Sequence, residues 1–214
     1  MHRVLVLGAG KIGSLIAGLL EESGDYAVTL ADSRPGAAAE VAAAHRQAGD
    51  GGGIQALDLD ATHLADLEAA LRSHRIDAVV SSLPYYCNEL VARAARDTGC
   101  HYFDLTEDVR SATAVLGIAT GASTAFAPQC GLAPGFISIA AAELIRHFQS
   151  VRSVKLRVGA LPQHPNNVLK YSLTWSTEGL INEYGNPCEA LVDGRAVEVA
   201  PLEGLEEIEI DGMI

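Results

Sequence analysis

The chain has 214 residues, of which 49% are hydrophobic and 20% are charged, and its formal net charge at pH 7 is −12. This length can bury one large core or two smaller ones. The acidic balance argues against nucleic acid as a partner, because nucleic-acid binding needs a basic surface. The four cysteines lack Cys-x-x-Cys spacing, so we expect neither a disulfide framework nor a metal site, and a cytoplasmic location is favoured.

No apolar stretch of the sequence is long enough to span a bilayer. The first residues run directly into a predicted strand and do not have the layout of a signal peptide. We therefore expect no membrane association.

A glycine-rich turn lies between the first predicted strand, 3–7, and a segment whose apolar residues recur at helical spacing. Gly8 permits the tight turn, Gly10 lets the backbone approach a pyrophosphate, and Gly13 lets the helix pack close to the strand. The start of a helix also attracts phosphate through its free N–H groups and its dipole. The cofactor-binding residues predicted in this turn are Gly8, Gly10, Lys11, Ile12 and Gly13.

Short apolar runs alternate with longer helical patterns through residue 127. The predicted strands are 3–7, 26–30, 54–57, 77–81, 102–105 and 124–127. The predicted helices between them include 37–47, 62–74, 88–97 and 111–119. This alternation predicts an α/β fold of the Rossmann type, with a doubly wound parallel sheet covered on both faces.

The pattern changes after a predicted connecting helix at 134–148. Strands are predicted at 151–159, 171–175, 189–192, 197–199 and 206–210, with a helix near 178–183. We therefore predict a dinucleotide-binding domain at 1–128 and an α+β domain with a mostly antiparallel sheet at 129–214. Residues 211–214 look like a turn into another strand, so the second domain is expected to be incomplete at its C-terminus, since a sheet that ended there would leave an open edge.

Polar residues follow the second and third predicted strands, on the side expected to face adenosine. A carboxylate at Asp32 would bind the ribose hydroxyls and repel a 2′-phosphate, which favours NAD as the cofactor. Arg34 would accept that phosphate, so NADP stays open. Ser33 lies between the two, and Asp58 either faces adenine or caps a turn.

The later strands predict a second group of site residues, because the carboxyl ends of parallel strands share one edge of the sheet. Ser81, Ser82, Leu83 and Pro84 follow the fourth strand and are expected to pass the cofactor's ribose and nicotinamide. Polar groups end the fifth strand and point into the same crevice, although helix capping alone could explain Thr106 or Glu107. Cys130, in a glycine-rich turn, is expected to line the site without acting as a nucleophile. The three polar residues are Asp104, Thr106 and Glu107.

Five segments together resemble the saccharopine dehydrogenase family, over essentially all 214 residues and in the family's order. They are the turn 8–13, Leu-Pro at 83–84, Asp-Leu-Thr at 104–106, the Gly-Leu-Ala-Pro-Gly turn within 130–135, and the segment 173–179 with Trp-Ser-x-x-Gly. Saccharopine reductases of this family carry a substrate-binding aspartate in the Gly-Leu-x-Pro-Gly turn, where this chain has Ala133. The resemblance is therefore closest to the lysine 6-dehydrogenase branch, and family members are considerably longer than this chain.

The resemblance implies an NAD(P)-dependent oxidoreductase acting on the CH–NH or CH–NH₂ group of an amino acid, and a homodimer. Asp104 would act as base or orient the substrate, with Thr106 and Glu107 as hydrogen-bonding neighbours. Trp175 would wall the substrate's methylene chain, unless it is a core aromatic, and Ser176 and Thr177 would hold its α-carboxylate. The alternatives are a nucleotide-binding regulator without turnover and an inactive truncated homologue.

Overall fold

The computed structural model describes residues 1–48, 53–159, 162, 164, 172, 177–204, 206 and 207. The strands, in chain order, are β1 (His2–Leu7), β2 (Tyr26–Asp32), β3 (Gln55–Asp58), β4 (Ala78–Ser81), β5 (His101–Asp104), β6 (Phe126–Ala127), β7 (Cys188–Val192) and β8 (Arg195–Val199). The α-helices are α1 (Lys11–Glu22), α2 (Ala37–Ala48), α3 (Leu64–Ser73), α4 (Asn88–Thr98), α5 (Val109–Ala119), α6 (Phe136–Ile145) and α7 (Thr177–Gly185). None of the helices in these ranges has the length and apolar character needed to cross a membrane.

Strands β1 to β6 form one parallel sheet in the order β3-β2-β1-β4-β5-β6. The register pairs Leu7 with Ser81 and Ser81 with Asp104, so β1, β4 and β5 end at the same level. Ligands of such sheets bind beyond the carboxyl ends of the strands, where the strand order reverses. The residues that follow these three strands therefore meet at one edge.

Two hydrophobic clusters cover the two faces of the sheet. Leu5 and Leu7 of β1 pack with Leu67 and Val91 of the helices on one face. Val4 and Val6 belong to the cluster on the other face, with Ala17 and Ala38. Because successive side chains of a strand point to opposite faces, a strand buried on both sides is continuously apolar, which is the pattern that the sequence shows at 4–7.

The predicted fold class is confirmed. The doubly wound parallel sheet is followed by an antiparallel pair, β7 and β8, in which Cys188 lies opposite Val199. The division of the chain after residue 128 stays a prediction.

The predicted strand at 151–159 is wrong, because the structure has no strand there. The alternation of apolar residues in this segment is typical of a strand, but a strand also needs a partner for its backbone. Within the described ranges the segment pairs with none, and Val154 and Leu156 are about half exposed. The predicted strand at 171–175 lies outside the described residues except for Ser172, and of 206–210 only 206 and 207 are described.

The helix predicted at 134–148 is shorter than expected and begins at Phe136. The turn before it occupies residues 131–135, and the N–H groups of Phe136 and Ile137 donate to the carbonyls of Gly131 and Leu132. This turn keeps Pro134, whose peptide bond with Ala133 is cis, outside α6.

Candidate dinucleotide and substrate site

The glycine-rich turn forms an open cradle between β1 and α1. Gly8 has a φ of +98°, and a Cβ added to Gly13 would lie 1.9 Å from the carbonyl oxygen of Gly8, so strand and helix touch at that point. A Cβ added to Gly10 would meet nothing within 4 Å. The first turn of α1 carries no acidic residue, and Lys11 and Ile12 are exposed there. The cradle therefore fits a pyrophosphate, held by the free N–H groups of the first helical turn.

The end of β4 lies directly against this turn. The N–H of Ser82 donates to the carbonyl of Leu7 at 2.9 Å, and the carbonyl of Ser82 and a methyl group of Leu83 are the nearest neighbours of a Cβ built on Gly8. Pro84 follows and precedes a short 3₁₀ helix, Tyr85–Cys87. The backbone of Ser82 and the side chain of Leu83 thus adjoin the cradle, and their contact with the cofactor stays a prediction.

The side chain of Ser81 points into the protein interior and not toward the cradle. Its side chain is buried, and its hydroxyl lies 2.7 Å from the side-chain oxygen of Asn88 in α4. The Ser81 hydroxyl therefore ties β4 to α4, and no cofactor contact is needed to explain it.

The Asp32 carboxylate lies beside the cradle, on the side expected to face adenosine. One of its oxygens accepts the N–H of Ala9 at 2.8 Å and the other accepts the N–H of Arg34 at 2.9 Å. Burial of the carboxylate opposes its ionisation, but the N–H groups of Arg34 and Ala9 outweigh burial and lower the pKa of Asp32. The charge at Asp32 therefore holds the turn, and its contact with the ribose stays a prediction.

Ser33, Arg34 and Asp58 surround this charge. The Arg34 side chain is 72% exposed, with its Nε 3.4 Å from the Asp32 carboxylate, and Ser33 is exposed. Asp58 accepts the N–H of Gly36 at 2.9 Å. Through this bond Asp58 caps the turn that leads into α2, which is one of the two roles expected for it.

Asp32→Asn is expected to shift the cofactor preference toward NADP. The variant removes the negative charge that repels a 2′-phosphate and leaves Arg34 free to bind it, so the ratio of NADPH to NADH affinity should rise about tenfold. Loss of one backbone hydrogen bond should also lower the free energy of unfolding by about 1 kcal/mol. Titrations of wild type and variant with both reduced dinucleotides measure the ratio, with Asp58→Asn as the control. An unchanged ratio would mean that Asp32 does not face the ribose.

Asp104 ends β5 in a fully buried position. One carboxylate oxygen accepts the N–H groups of Thr106 and Gln129, each at 3.0 Å, and the other accepts the Tyr102 hydroxyl at 2.7 Å. Burial, and then the charge of Asp104, raise the pKa of Tyr102, so its hydroxyl stays a donor. A general base needs a lone pair that a substrate can reach. This geometry does not favour the predicted catalytic role of Asp104, which stays a prediction.

Thr106 and Glu107 continue the same loop toward α5. The Thr106 hydroxyl accepts the N–H of Asp108 at 3.1 Å, and Asp108 caps α5 by accepting the N–H of Ser111 at 2.6 Å. Thr106 therefore stabilises the loop. Glu107 is different, because its Oε1 atom is buried and has no hydrogen-bond partner among the described residues.

Helix α7 brings a second carboxylate to Glu107. Partial burial, and then the charge of Glu107, raise the pKa of Glu183. The neighbouring Asn182 lies with its side-chain amide 3.4 Å from the Asp108 carboxylate. Asn182 and Glu183 could not be identified from the sequence, because nothing in it indicates that α7 lies beside the end of β5.

The turn that follows β6 carries Cys130. The N–H of Cys130 donates to the carbonyl of Asp104 at 2.8 Å, which places the turn beside the end of β5. Partial burial, and then the charge of Asp104, raise the pKa of the Cys130 thiol, so it is a poor nucleophile.

The predicted substrate-binding residues are only partly described. Trp175 and Ser176 lie outside the described residues, and Thr177 begins α7 with an exposed side chain. Their roles stay predictions. Across the described ranges, no cluster of His, Cys, Asp and Glu has an arrangement suited to a metal ion.

The chain matches two family models. Residues 4–154 match the saccharopine dehydrogenase NADP-binding domain, and residues 131–212 match the saccharopine dehydrogenase C-terminal domain. The first match contains the cradle, Asp32, Asp104 and Glu107. The second begins in the turn after β6.

Two curated relatives and one solved structure are similar to the chain. Over 204 residues the chain is 23% identical to the mitochondrial alpha-aminoadipic semialdehyde synthase of Rattus norvegicus and 24% identical to that of Mus musculus, covering 92% of this chain and 21% of each relative. The solved structure of apo saccharopine dehydrogenase (L-Glu forming) from Saccharomyces cerevisiae superposes with a TM-score of 0.70 at 22% identity, covering 94% of this chain and 44% of that one. The chain thus spans about a fifth of the length of these curated relatives. It belongs to the saccharopine dehydrogenase family, a family of oxidoreductases, and carries that family's NAD(P)-binding domain.

Proposed function

We propose that this chain is part of an NAD(P)-dependent oxidoreductase that acts on the CH–NH or CH–NH₂ group of an amino acid, as saccharopine dehydrogenases and lysine 6-dehydrogenases do. The observation that carries the proposal is the buried, unpartnered Oε1 atom of Glu107, with the Glu183 carboxylate nearby. A cationic amine would supply the missing hydrogen-bond donors. It would also relieve the repulsion between the two carboxylates.

The position of Glu107 supports an amine close to the reacting end of the cofactor. Asp32 lies at the end of β2, on the adenosine side of the cradle. The nicotinamide half would therefore extend to the other side, over the ends of β4 and β5. Glu107 lies three residues beyond the end of β5.

The chemistry that these residues would perform is proton transfer and orientation. A protonated amine cannot release hydride, so the Oε1 atom of Glu107 would take one proton from the substrate nitrogen. A nicotinamide held at the ends of β4 and β5 would supply the acceptor for the hydride that leaves the carbon bearing this nitrogen. Loss of the proton and the hydride leaves a protonated imine, which water then hydrolyses to a carbonyl compound and an amine, or ammonia where the substrate is a primary amine. The Glu183 carboxylate would hold the substrate's positive charge during these steps.

The proposal is tested by mixing the protein with NAD or NADP and following absorbance at 340 nm after adding lysine, saccharopine or glutamate. Reduction that depends on one amino acid is expected, and the same amino acid should tighten dinucleotide binding in calorimetric titration. Dinucleotide binding that no amino acid alters would contradict the proposal and favour a nucleotide-binding regulator or an inactive homologue. Homodimer formation and a cytoplasmic location stay predictions.

A further inference from the structure

We infer that Asp104 is a positioning residue: from its buried site it holds the turn 129–135 against the carboxyl edge of the sheet, where this turn forms one wall of the dinucleotide site. The inference rests on the proposed direction of the nicotinamide half. It assigns the buried carboxylate a role other than that of the base.

The turn starts from a conformation that it would not adopt alone. Gln129 has a φ of +64°, in the left-handed region that residues other than glycine rarely occupy. The N–H of Gln129 donates to Asp104 at 3.0 Å, and the next N–H, from Cys130, donates to the carbonyl of Asp104 at 2.8 Å. One residue at the end of β5 thus binds two successive N–H groups of the turn. Such an arrangement holds a strained backbone in place.

The Asp104 carboxylate is itself held rigidly. It is fully buried, and besides Gln129 it accepts the Thr106 N–H and the Tyr102 hydroxyl. Tyr102 lies two residues earlier on the same strand, and its ring stacks on Phe126 of β6 at 5.7 Å. The turn is therefore anchored to β5 and, through the Tyr102 ring, to the edge strand β6. A charged acceptor makes these bonds stronger than a neutral one would.

The rest of the turn is so tightly packed that its position follows that of Gln129. A Cβ on Gly135 would lie 2.1 Å from the carbonyl oxygen of Gly131, and a Cβ on Gly131 would lie 3.2 Å from the carbonyl of Pro134 and 3.3 Å from that of Leu105. Residues 131 and 135 also form a backbone bridge. A displacement at Gln129 would consequently move the whole turn instead of being absorbed within it.

The test compares Asp104→Ala, Asp104→Asn and a matched control. The control is Glu21→Ala, because Glu21 is also a buried carboxylate that accepts a backbone N–H, that of Gly53 at 2.8 Å. It lies at the end of α1, remote from the cradle at the start of that helix. NADH and NADPH affinities are measured from nicotinamide fluorescence, thermal unfolding gives the stability, and hydrogen exchange reports on the amides of Gln129 and Cys130.

Asp104→Ala is expected to weaken the affinity for the preferred reduced dinucleotide about tenfold and to remove the protection of the Gln129 amide. Asp104→Asn should recover most of the affinity, because its side-chain oxygen can still accept the N–H groups of Thr106 and Gln129. Glu21→Ala should lower the unfolding temperature without changing the affinity. Wild-type affinity in Asp104→Ala, or an equal loss in Glu21→Ala, would overturn the inference.

A second variant tests the turn if Asp104→Ala does not fold. Gly131→Ala leaves Asp104 intact and presses a methyl group on the carbonyls of Leu105 and Pro134, so the turn must shift by a few tenths of an ångström. It should weaken dinucleotide binding about threefold with little change in stability. Unchanged affinity would overturn the inference. These readouts use dinucleotide alone, so they remain decisive even if no amino acid proves to be a substrate.

Discussion

Gly10→Val is expected to abolish dinucleotide binding in a protein that still folds, whereas Gly13→Ala is expected to prevent folding. Both changes fall in the same glycine-rich turn, three residues apart. Their opposite outcomes follow from what a side chain would meet at each position. A Cβ on Gly10 meets no atom within 4 Å, and a Cβ on Gly13 lies 1.9 Å from the carbonyl oxygen of Gly8.

The space above Gly10 is the space that a pyrophosphate would occupy, so a valine there competes with the ligand and not with the protein. The φ of Gly10 is −76° and its ψ is −174°, which any residue can adopt. We expect the unfolding temperature to change little. The affinity for NAD and NADP should fall by about 100-fold or more, since the backbone can no longer approach the phosphates.

The clash at Gly13 cannot be relieved by a side-chain rotation, because the atom that the methyl group meets belongs to the backbone. Overpacking of this kind costs about 3 kcal/mol or more, since β1 and α1 would have to separate. Thermal unfolding and soluble yield measure this effect, and calorimetric titration measures the effect at Gly10. Normal NAD(P) affinity in Gly10→Val would show that the pyrophosphate does not lie over this turn.

Glu107→Gln is expected to lower kcat/KM for the amine substrate by about 100-fold or more while leaving dinucleotide affinity within about twofold of wild type. The amide keeps the shape of the side chain but cannot take a proton from the substrate nitrogen. Steady-state rates with the amino acid identified at 340 nm measure the first quantity, and fluorescence titration measures the second. Glu89→Gln, an exposed carboxylate paired with Arg93 on α4, is the control and should behave as wild type. Full activity in Glu107→Gln would contradict the base role.

The Glu183 carboxylate should make the stability of the folded protein depend on pH. Partial burial and the charge of Glu107 raise the pKa of Glu183 above its ordinary value of 4.5. Protonated Glu183 therefore favours the folded state below about pH 4.5, and this stabilisation is lost as the pH rises through the raised pKa of the folded state. Glu183→Gln should consequently unfold at the same temperature as wild type in acid and at a higher temperature near pH 7.

Substrate binding should reverse this effect on Glu183. A cationic amine between the carboxylates stabilises their charged forms, so binding should release protons in the pH range where free Glu183 is partly protonated. Calorimetry in buffers of different ionisation enthalpy measures the proton release. For the stability measurement, a difference in unfolding temperature between Glu183→Gln and wild type that is the same at every pH would show that Glu183 and Glu107 do not interact.

The sequence was sufficient to predict the α/β fold and the nucleotide cradle because their signals are local. Apolar runs at 4–7 and helical spacing after Gly13 specify a strand and a helix, and the glycines between them specify a turn. The end of each strand then locates the polar residues of one edge, without knowledge of any contact. Asp32 is placed correctly beside the cradle for this reason. For the same reason, Asp104, Thr106 and Glu107 are predicted at the carboxyl edge of the sheet, where the structure has them.

Only the tertiary structure could assign different roles to those edge residues. Asp104 ends β5 and Glu107 lies three residues beyond it. The Asp104 carboxylate accepts hydrogen bonds from Tyr102, Thr106 and Gln129, whereas Glu107 has a buried oxygen without a partner in the described part of the chain. This difference depends on β6 and α7, which arrive from distant parts of the sequence. Periodicity also failed at 151–159, where strand formation requires a partner. Local pattern therefore determined which elements form, and non-local contacts decided which polar groups remain free to act.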